Sequence, residues 1–347
     1  MDIANQTSGD EIFFFVATST HNGGQRIKLL LDSMLHQTST NFVHYIYDDG
    51  SQTPADEVIE DYRQKASSLS KPFQVIYEKG PDLGLDLAYG RLFSKRTGTH
   101  FFWIDDDDCL DPSFFETLTR EIKVHPDCTW FHTDRREFDP SGRLFRKPTS
   151  AQCDKKRLRE EDQYLNYVSG VNFFYSSLVI QSKAFAKHNP NCLFLDARKN
   201  GGFYFDQQVC QVMACSHEKM DYIDAPLFYS CMRPDSSSHV YCGQKPELRD
   251  KAKADYLLTL GYPKAEVDSF YEARTIYEKI FEIRFIASSG DLKKTLEWAQ
   301  EIKAYFKRKD IPPHCRLHLS YVRQAVFAVK HPHLFALRKK AKRLLRH

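Results

Sequence analysis

No run in this sequence approaches the roughly 20 consecutive apolar residues that span a bilayer, which excludes a membrane bundle. The opening MDIANQTSGDEIFFF lacks the basic flank and small-residue cleavage site of a secretory leader, so residence in the cytosol is expected. Paired cysteines are lacking too. Nine cysteines stand singly at irregular spacings without a CxxC, which excludes a disulfide framework and reads as reduced, mostly buried thiols. The formal charge of +3 is too small to indicate nucleic-acid binding. There is no internal repeat or low-complexity tract, and 41% hydrophobic with 27% charged residues excludes a disordered chain. What remains is a chain of 347 residues, long enough for a full core and for two domains, or for one with an appendage.

The run IFFFVATS is short, continuous and apolar, as in a strand buried on both faces. GGQRIKLLLDSMLHQ then places Ile27, Leu30, Leu31, Met34 and Leu35 at helical spacing, and FVHYIYDDGS reads as a second strand ending abruptly in acid and glycine. Helix, strand, helix and strand follow in VIEDYRQKASSL, FQVIYEK, LDLAYGRLFSKRT and THFFWIDDDD. This alternation predicts an α/β fold with a mostly parallel sheet. Ligands bind such sheets at the carboxyl ends of the strands, and three runs end there in Thr18-Ser19, Asp48-Asp49 and Asp105 to Asp108. Residues 1–242 are expected to form this domain, and 243–347, rich in Lys, Glu, Ala and Leu, a C-terminal helical region.

Four consecutive aspartates after an apolar strand, in FFWIDDDDCLDP, repel one another unless a cation offsets them. Mg²⁺ and Mn²⁺ prefer oxygen and bind through one or two carboxylates plus substrate phosphates, and Asp105 and Asp107, spaced i and i+2, suit such an ion. An acidic run is more often a solvated loop or a helix cap. Here its place at a ligand-binding strand end favours the metal. HPDCTWFH offers His125, Cys128 and His132, but three ligands at loose spacing read as packed or surface side chains rather than a zinc site.

Taken in order, STHNGGQRIKLLLDSMLHQT, YIYDDGS, GLDLAYG and WIDDDDCLDPSFF resemble glycosyltransferase family 2 with its GT-A fold, over roughly residues 11 to 240. The resemblance implies an inverting, metal-dependent transfer of sugar from a nucleotide diphosphate, with UDP-sugars as the leading donors. It places Asp48, Asp49 and Ser19 near the nucleoside, with Asp49 the partner of the base. Asp105 and Asp107 fall on the acidic positions of the DXD element, with Asp107 as metal ligand and Asp106 near the ribose or donor sugar. The metal would be Mn²⁺ or Mg²⁺, offsetting charge on the leaving diphosphate.

Inversion needs a carboxylate to take the proton of the acceptor hydroxyl. By the resemblance that residue is Asp206 in NGGFYFDQQVCQVM, with Asp196 as fallback; the bland alternative is an N-cap aspartate. The family's Glu-Asp is Phe205-Asp206 here, and its Ala-Arg-Asn is Ala88-Tyr89-Gly90. In SCMRPDSSSH, similar to the family's Arg-x-His-x-x-Ser, Asp235 stands at the His position and His239 lies four residues later; both are candidates to complete the metal shell, against a solvated serine-rich loop. The QxxRW signature of processive synthases is absent, so addition of a single sugar to a saccharide or lipid-linked acceptor is expected, in polysaccharide or glycolipid assembly.

The tail LFALRKKAKRLLRH puts Leu334, Leu337, Ala341, Leu344 and Leu345 on one helical face with six basic residues elsewhere. It suits a peripheral contact with an anionic membrane surface, or equally a terminal helix docked on its own domain. Two other classes compete with the transferase: a sugar-nucleotide-forming nucleotidyltransferase, which should carry a Gly-rich basic signature near its N-terminus, and a non-catalytic sugar-binding scaffold. The order of the later acidic motifs argues against the first.

Overall fold

The computed structural model describes residues 11–144, 177–233, 246–288, 290–308 and 319–331. The first elements are β1 (Phe14–Thr20), α1 (Lys28–Leu35), β2 (Phe42–Asp49), α2 (Asp56–Ser68), β3 (Gln74–Gly80), α3 (Leu85–Ser94) and β4 (His100–Trp103). They alternate as the apolar runs predict. The next are β5 (Cys109–Leu110), α4 (Phe114–Val124), β6 (Trp130–Phe138), β7 (Leu178–Gln181), α5 (Ser182–His188), α6 (Phe205–Cys215) and β8 (Met220–Cys231). Four helices follow: α7 (Pro246–Thr259), α8 (Lys264–Ser288), α9 (Leu292–Tyr305) and α10 (Leu319–Lys330).

One eight-stranded sheet runs in the order β3-β2-β1-β4-β7-β6-β8-β5. β1, β2, β3 and β4 pair in parallel, as do β6 and β8. The β4–β7, β6–β7 and β5–β8 pairs are antiparallel, so the sheet is mixed beyond β4. Every residue of β1 and β2 is buried, which only a strand covered on both faces allows. Phe14, Val16, Phe42, Ile46 and Phe102 join one apolar layer with Leu30, Leu31 and Met34 of α1, Ile59 of α2, and Phe114, Phe115 and Leu118 of α4. On the other face Phe93 of α3 packs on Phe101 at 4.8 Å, and Phe101 on Phe185 of α5 at 5.2 Å.

The described residues form two compact units, one reaching Tyr262 and the other beginning at Pro263. The helical stretch therefore opens inside the first unit, where the Tyr256 hydroxyl of α7 donates to the Leu193 carbonyl (3.0 Å) and accepts from the Asn189 amide (3.1 Å). In the second unit α8, α9 and α10 pack on one another, and Asp291 caps α9 by accepting from the Lys294 N–H at 2.9 Å. Among the described residues no helix is long and apolar enough to cross a membrane. The basic tail, Asp235 and His239 lie outside the described residues.

Candidate active site

The site begins where parallel strands stop. Thr20, last in β1, lies beside Asp48 of β2, so Ser19, Asp48 and Asp49 reach one edge of the sheet together. The two chain ends are stitched. His21 Nδ1 lies 2.7 Å from the Asp49 carbonyl, and the Asn22 Oδ1 accepts from the N–H groups of Gln52 (2.8 Å) and Thr53 (3.1 Å). Asn22 adopts φ +52°, a left-handed conformation that asparagine tolerates better than most residues.

Asp48 and Asp49 diverge in role. Asp48 is 2% exposed and its oxygens accept from the Ser51 N–H (2.9 Å) and the Tyr77 hydroxyl (2.8 Å), so the carboxylate holds its own turn. Asp49 accepts from the N–H groups of Leu83 (2.6 Å) and Gly84 (2.9 Å), tying the loop before α3 to the end of β2. Burial raises the Asp49 carboxyl above the ordinary value, and those two backbone donors oppose the shift. Arg198 lies over Gly84, where an added Cβ would come within 2.6 Å of the guanidinium carbon; with φ +81° besides, only glycine suits that position.

The four aspartates after β4 each hold a different segment. Tyr89 of α3 donates to Asp105 at 3.3 Å. Asp106 accepts from Thr20 (2.7 Å) and takes a two-pronged contact from Arg26, Nε at 3.0 Å and Nη2 at 2.6 Å. Arg233 pairs with Asp107 at 2.6 Å, and Asp108, 2% exposed, accepts from the Cys231 N–H at 2.7 Å. Gly23 is required by this packing, because a Cβ there would collide with the Thr20 hydroxyl and reach 3.0 Å from Asp106. Gly23→Ala is expected to break the Thr20–Asp106 bond and to cost about 1–3 kcal/mol, read as a lowered urea midpoint at unchanged slope.

Burial pushes the Asp105 carboxyl up to about 7, with the charges of Asp107, Asp106 and Asp206 adding to it. Asp107 is also raised, by burial against the opposing pull of Arg233. Three guanidinium groups, those of Arg26, Arg233 and Arg135, against four carboxylates leave this corner acidic, and the donors are hard oxygens. That set fits a divalent cation held by Asp105 and Asp107 with further oxygens from a bound phosphate.

Asp206 lies in the first turn of α6, whose N-cap is Tyr204 and carries no side-chain cap bond, so the carboxylate is not the helix cap. It accepts from the Gln207 N–H at 2.7 Å, and burial raises it to about 7, with Asp86 adding to the shift. Its charge adds to the upward shift of Asp105. Phe205, at the position of the family's glutamate, turns inward: it stacks on Tyr89 at 3.9 Å and meets Trp103 edge-on at 5.5 Å. Asp196 is 8% exposed in its side chain, and although burial opposes its charge, the Arg198 guanidinium holds it below the ordinary range. That suits a salt-bridge partner rather than a base.

Sequence reasoning missed the partners. Arg26, Asp86, Arg198 and Arg233 all serve the site from loops or helix starts, and no periodicity singles them out. Elsewhere, and among the described residues, Glu121, His125 and Asp221 bring potential metal-ligand atoms within 4.8 Å of one another. Asp221 is second in β8 whereas Cys231 ends it, so this group is separated from the Asp107–Asp108 corner by roughly 30 Å of strand at ~3.3 Å per residue. His132 takes no part in it; its ring stacks on Tyr222 at 5.5 Å.

Residues 15–182, a little under half of the chain, match the model of glycosyl transferase family 2. The uncharacterized glycosyltransferase EpsJ of Bacillus subtilis (strain 168) is 24% identical over 152 residues, or 41% of this chain and 42% of EpsJ, so the match spans about two fifths of that relative's length. Among solved structures, S. aureus TarS 1-349 in complex with UDP-GlcNAc superposes with a TM-score of 0.58 at 15% identity, covering 92% of this chain and 89% of that one. TarS 1-349 in complex with UDP gives 0.55 at 14% identity, with 92% of each chain covered. At such identity the likeness is one of fold.

Proposed function

We propose that this glycosyltransferase moves a single sugar from a nucleotide diphosphate, UDP foremost, onto a hydroxyl of a saccharide or lipid-linked acceptor, with inversion. The observation that supports the reading is the placement of Asp49 and Asp105 at or just past the ends of the two parallel strands that flank β1, with Tyr89 donating to Asp105 while its ring stacks at 3.9 Å on Phe205, the residue before Asp206. The UDP and UDP-GlcNAc complexes of S. aureus TarS, on the same fold, support the choice of donor.

The Asp49 end receives the nucleoside, with the backbone of the 83–84 turn and the Arg198 guanidinium beside it. Asp105 and Asp107 would hold Mn²⁺ or Mg²⁺, which when bound offsets the charge of the leaving diphosphate. Arg26 and Arg233 pair with Asp106 and Asp107 and fix their orientation. Asp206 accepts the proton of the acceptor hydroxyl as its oxygen attacks the anomeric carbon, and the positive end of α6 favours the carboxylate between turnovers.

Thermal-shift measurements with UDP, GDP, dTDP and CMP, each with Mn²⁺, Mg²⁺ or EDTA, test donor and metal together, since selective binding stabilises the fold by mass action. A metal-dependent shift with one nucleotide is expected; no shift under any condition would leave a non-catalytic scaffold as the better reading. With donor and acceptor in hand, kcat/KM is expected to rise about tenfold per pH unit below about 7 and to level above it, because Asp206 works only when deprotonated. A rate independent of pH between 5.5 and 7 would remove Asp206 as the base, with roughly tenfold per unit being the signature of a single essential group.

A further inference from the structure

Asp86 contacts neither the strand ends nor the acidic tetrad, yet it is 3% exposed in the first turn of α3. Its two oxygens accept from the main-chain N–H groups of Ala197 (2.8 Å) and Phe205 (2.7 Å), 111 and 119 positions along the chain. Those N–H groups bracket the loop that leads into α6, and the second belongs to the residue immediately before Asp206. The loop passes through Gly201 and Gly202, both at positive φ; it is braced within itself by Asn200, which accepts from the Phe203 N–H at 2.9 Å, and against α6 by Gln208, which bonds Leu195 and Phe203, and Asp86 ties both ends of that braced segment to α3.

A further bond ties the same loop to the donor side. Arg198 donates to the Leu83 carbonyl at 2.8 Å, and the N–H groups of Leu83 and Gly84 are held by Asp49. A buried carboxylate is costly unless its acceptor capacity is used, and burial accordingly lifts Asp86 to about 6 against the pull of its two donors. A neutral residue would fill the space at lower cost. What the carboxylate adds is a pair of acceptors set for two converging N–H groups, which is a means of placing a loop.

We propose that Asp86 is a positioning residue, whose carboxylate latches the 197–205 loop onto the start of α3 and so sets where the Asp206 carboxylate stands against Asp105. This rests on the reading of Asp206 as the base. Asp86→Asn keeps the shape but offers one acceptor oxygen for two N–H groups and turns an NH₂ toward the second. A misplacement of about 1 Å costs on the order of 100-fold in rate, so a 10- to 100-fold fall in kcat is expected with donor KM and UDP affinity held within about twofold.

A second readout separates positioning from bulk stability. The charged groups facing Asp86 are Asp206 and Asp196, the latter paired with Arg198 and Lys199. Because the negative charge of Asp86 helps to raise Asp206, its removal should move the acid limb of the rate profile to lower pH. The third readout starts from the wild type: there the Ala197 and Phe205 amides should resist hydrogen exchange, and in Asp86→Asn the segment 196–206 should exchange faster while 42–49 is unchanged.

Wild-type transfer together with an unaltered kcat in Asp86→Asn, or with kcat and UDP affinity falling in parallel, overturns the proposal alone. Unprotected Ala197 and Phe205 amides in the wild type overturn it as well, even if the variant does not fold. A wild-type protein that transfers from no donor overturns the reading of Asp206, and this inference with it.

Discussion

Replacing Asp206 by Asn is expected to cut turnover about 10²- to 10⁴-fold, the range that a general base contributes, while UDP affinity stays within about twofold. The asparagine oxygen can still accept from the Gln207 N–H, so the first turn of α6 keeps its geometry and only the proton acceptor is lost. Asp196 is no substitute, because the Arg198 guanidinium holds it in the charged, weakly basic state. The check is UDP release in a coupled assay beside nucleotide titration by calorimetry. Turnover within a few-fold of wild type would end the assignment, whereas loss of UDP binding would mark Asp206 as part of the donor pocket.

The second large effect concerns the metal. In EDTA the melting temperature is expected to fall as pH rises from 6.5 to 8, and Mn²⁺ or Mg²⁺ should reverse the fall. The sign follows from the direction of the shifts. Asp105 titrates near 3.8 when unfolded and near 7 when folded, so the folded state binds the extra proton and loses that advantage as pH rises through 7. Asp206 acts in the same sense.

Buried His44 and His100, lowered by desolvation to about 3 and about 4, act oppositely: the unfolded state binds their protons first, so their contribution to stability grows with pH up to the unfolded value of 6.5. That opposing growth tapers off above 6.5, which is why the window begins there. In Asp105→Asn with Asp107→Asn the fall should shrink to the part that Asp206 contributes, and its reversal by metal should vanish. A melting temperature flat from pH 6.5 to 8 in EDTA, and indifferent to metal, would remove the cation from this site.

Much of the site was legible because acids at the ends of apolar runs are conspicuous: Asp48-Asp49 and Asp105 to Asp108 terminate strands that are buried throughout. The fold class followed from the same alternation. Pairing beyond β4 did not, since a short apolar run such as Leu178–Gln181 says nothing about its neighbours, and β7 lies antiparallel between β4 and β6. The basic partners were hidden for a different reason. Arg26 meets Asp106 across 80 residues and Asp86 meets Phe205 across 119, and single side chains in loops leave no periodic trace. Phe205 illustrates the converse: a departure from the family's acid becomes intelligible only once Tyr89 and Trp103 are seen to enclose it.

Four identical aspartates look like a reservoir in which one acid stands in for another. Their contacts say otherwise, for they hold respectively Tyr89, the Arg26–Thr20 pair, Arg233 and the Cys231 N–H. The tetrad has no spare copy. Removing a single aspartate, which leaves three acids and barely alters composition, would shift every later carboxylate onto the wrong wall of the site and do more harm than any one substitution within it.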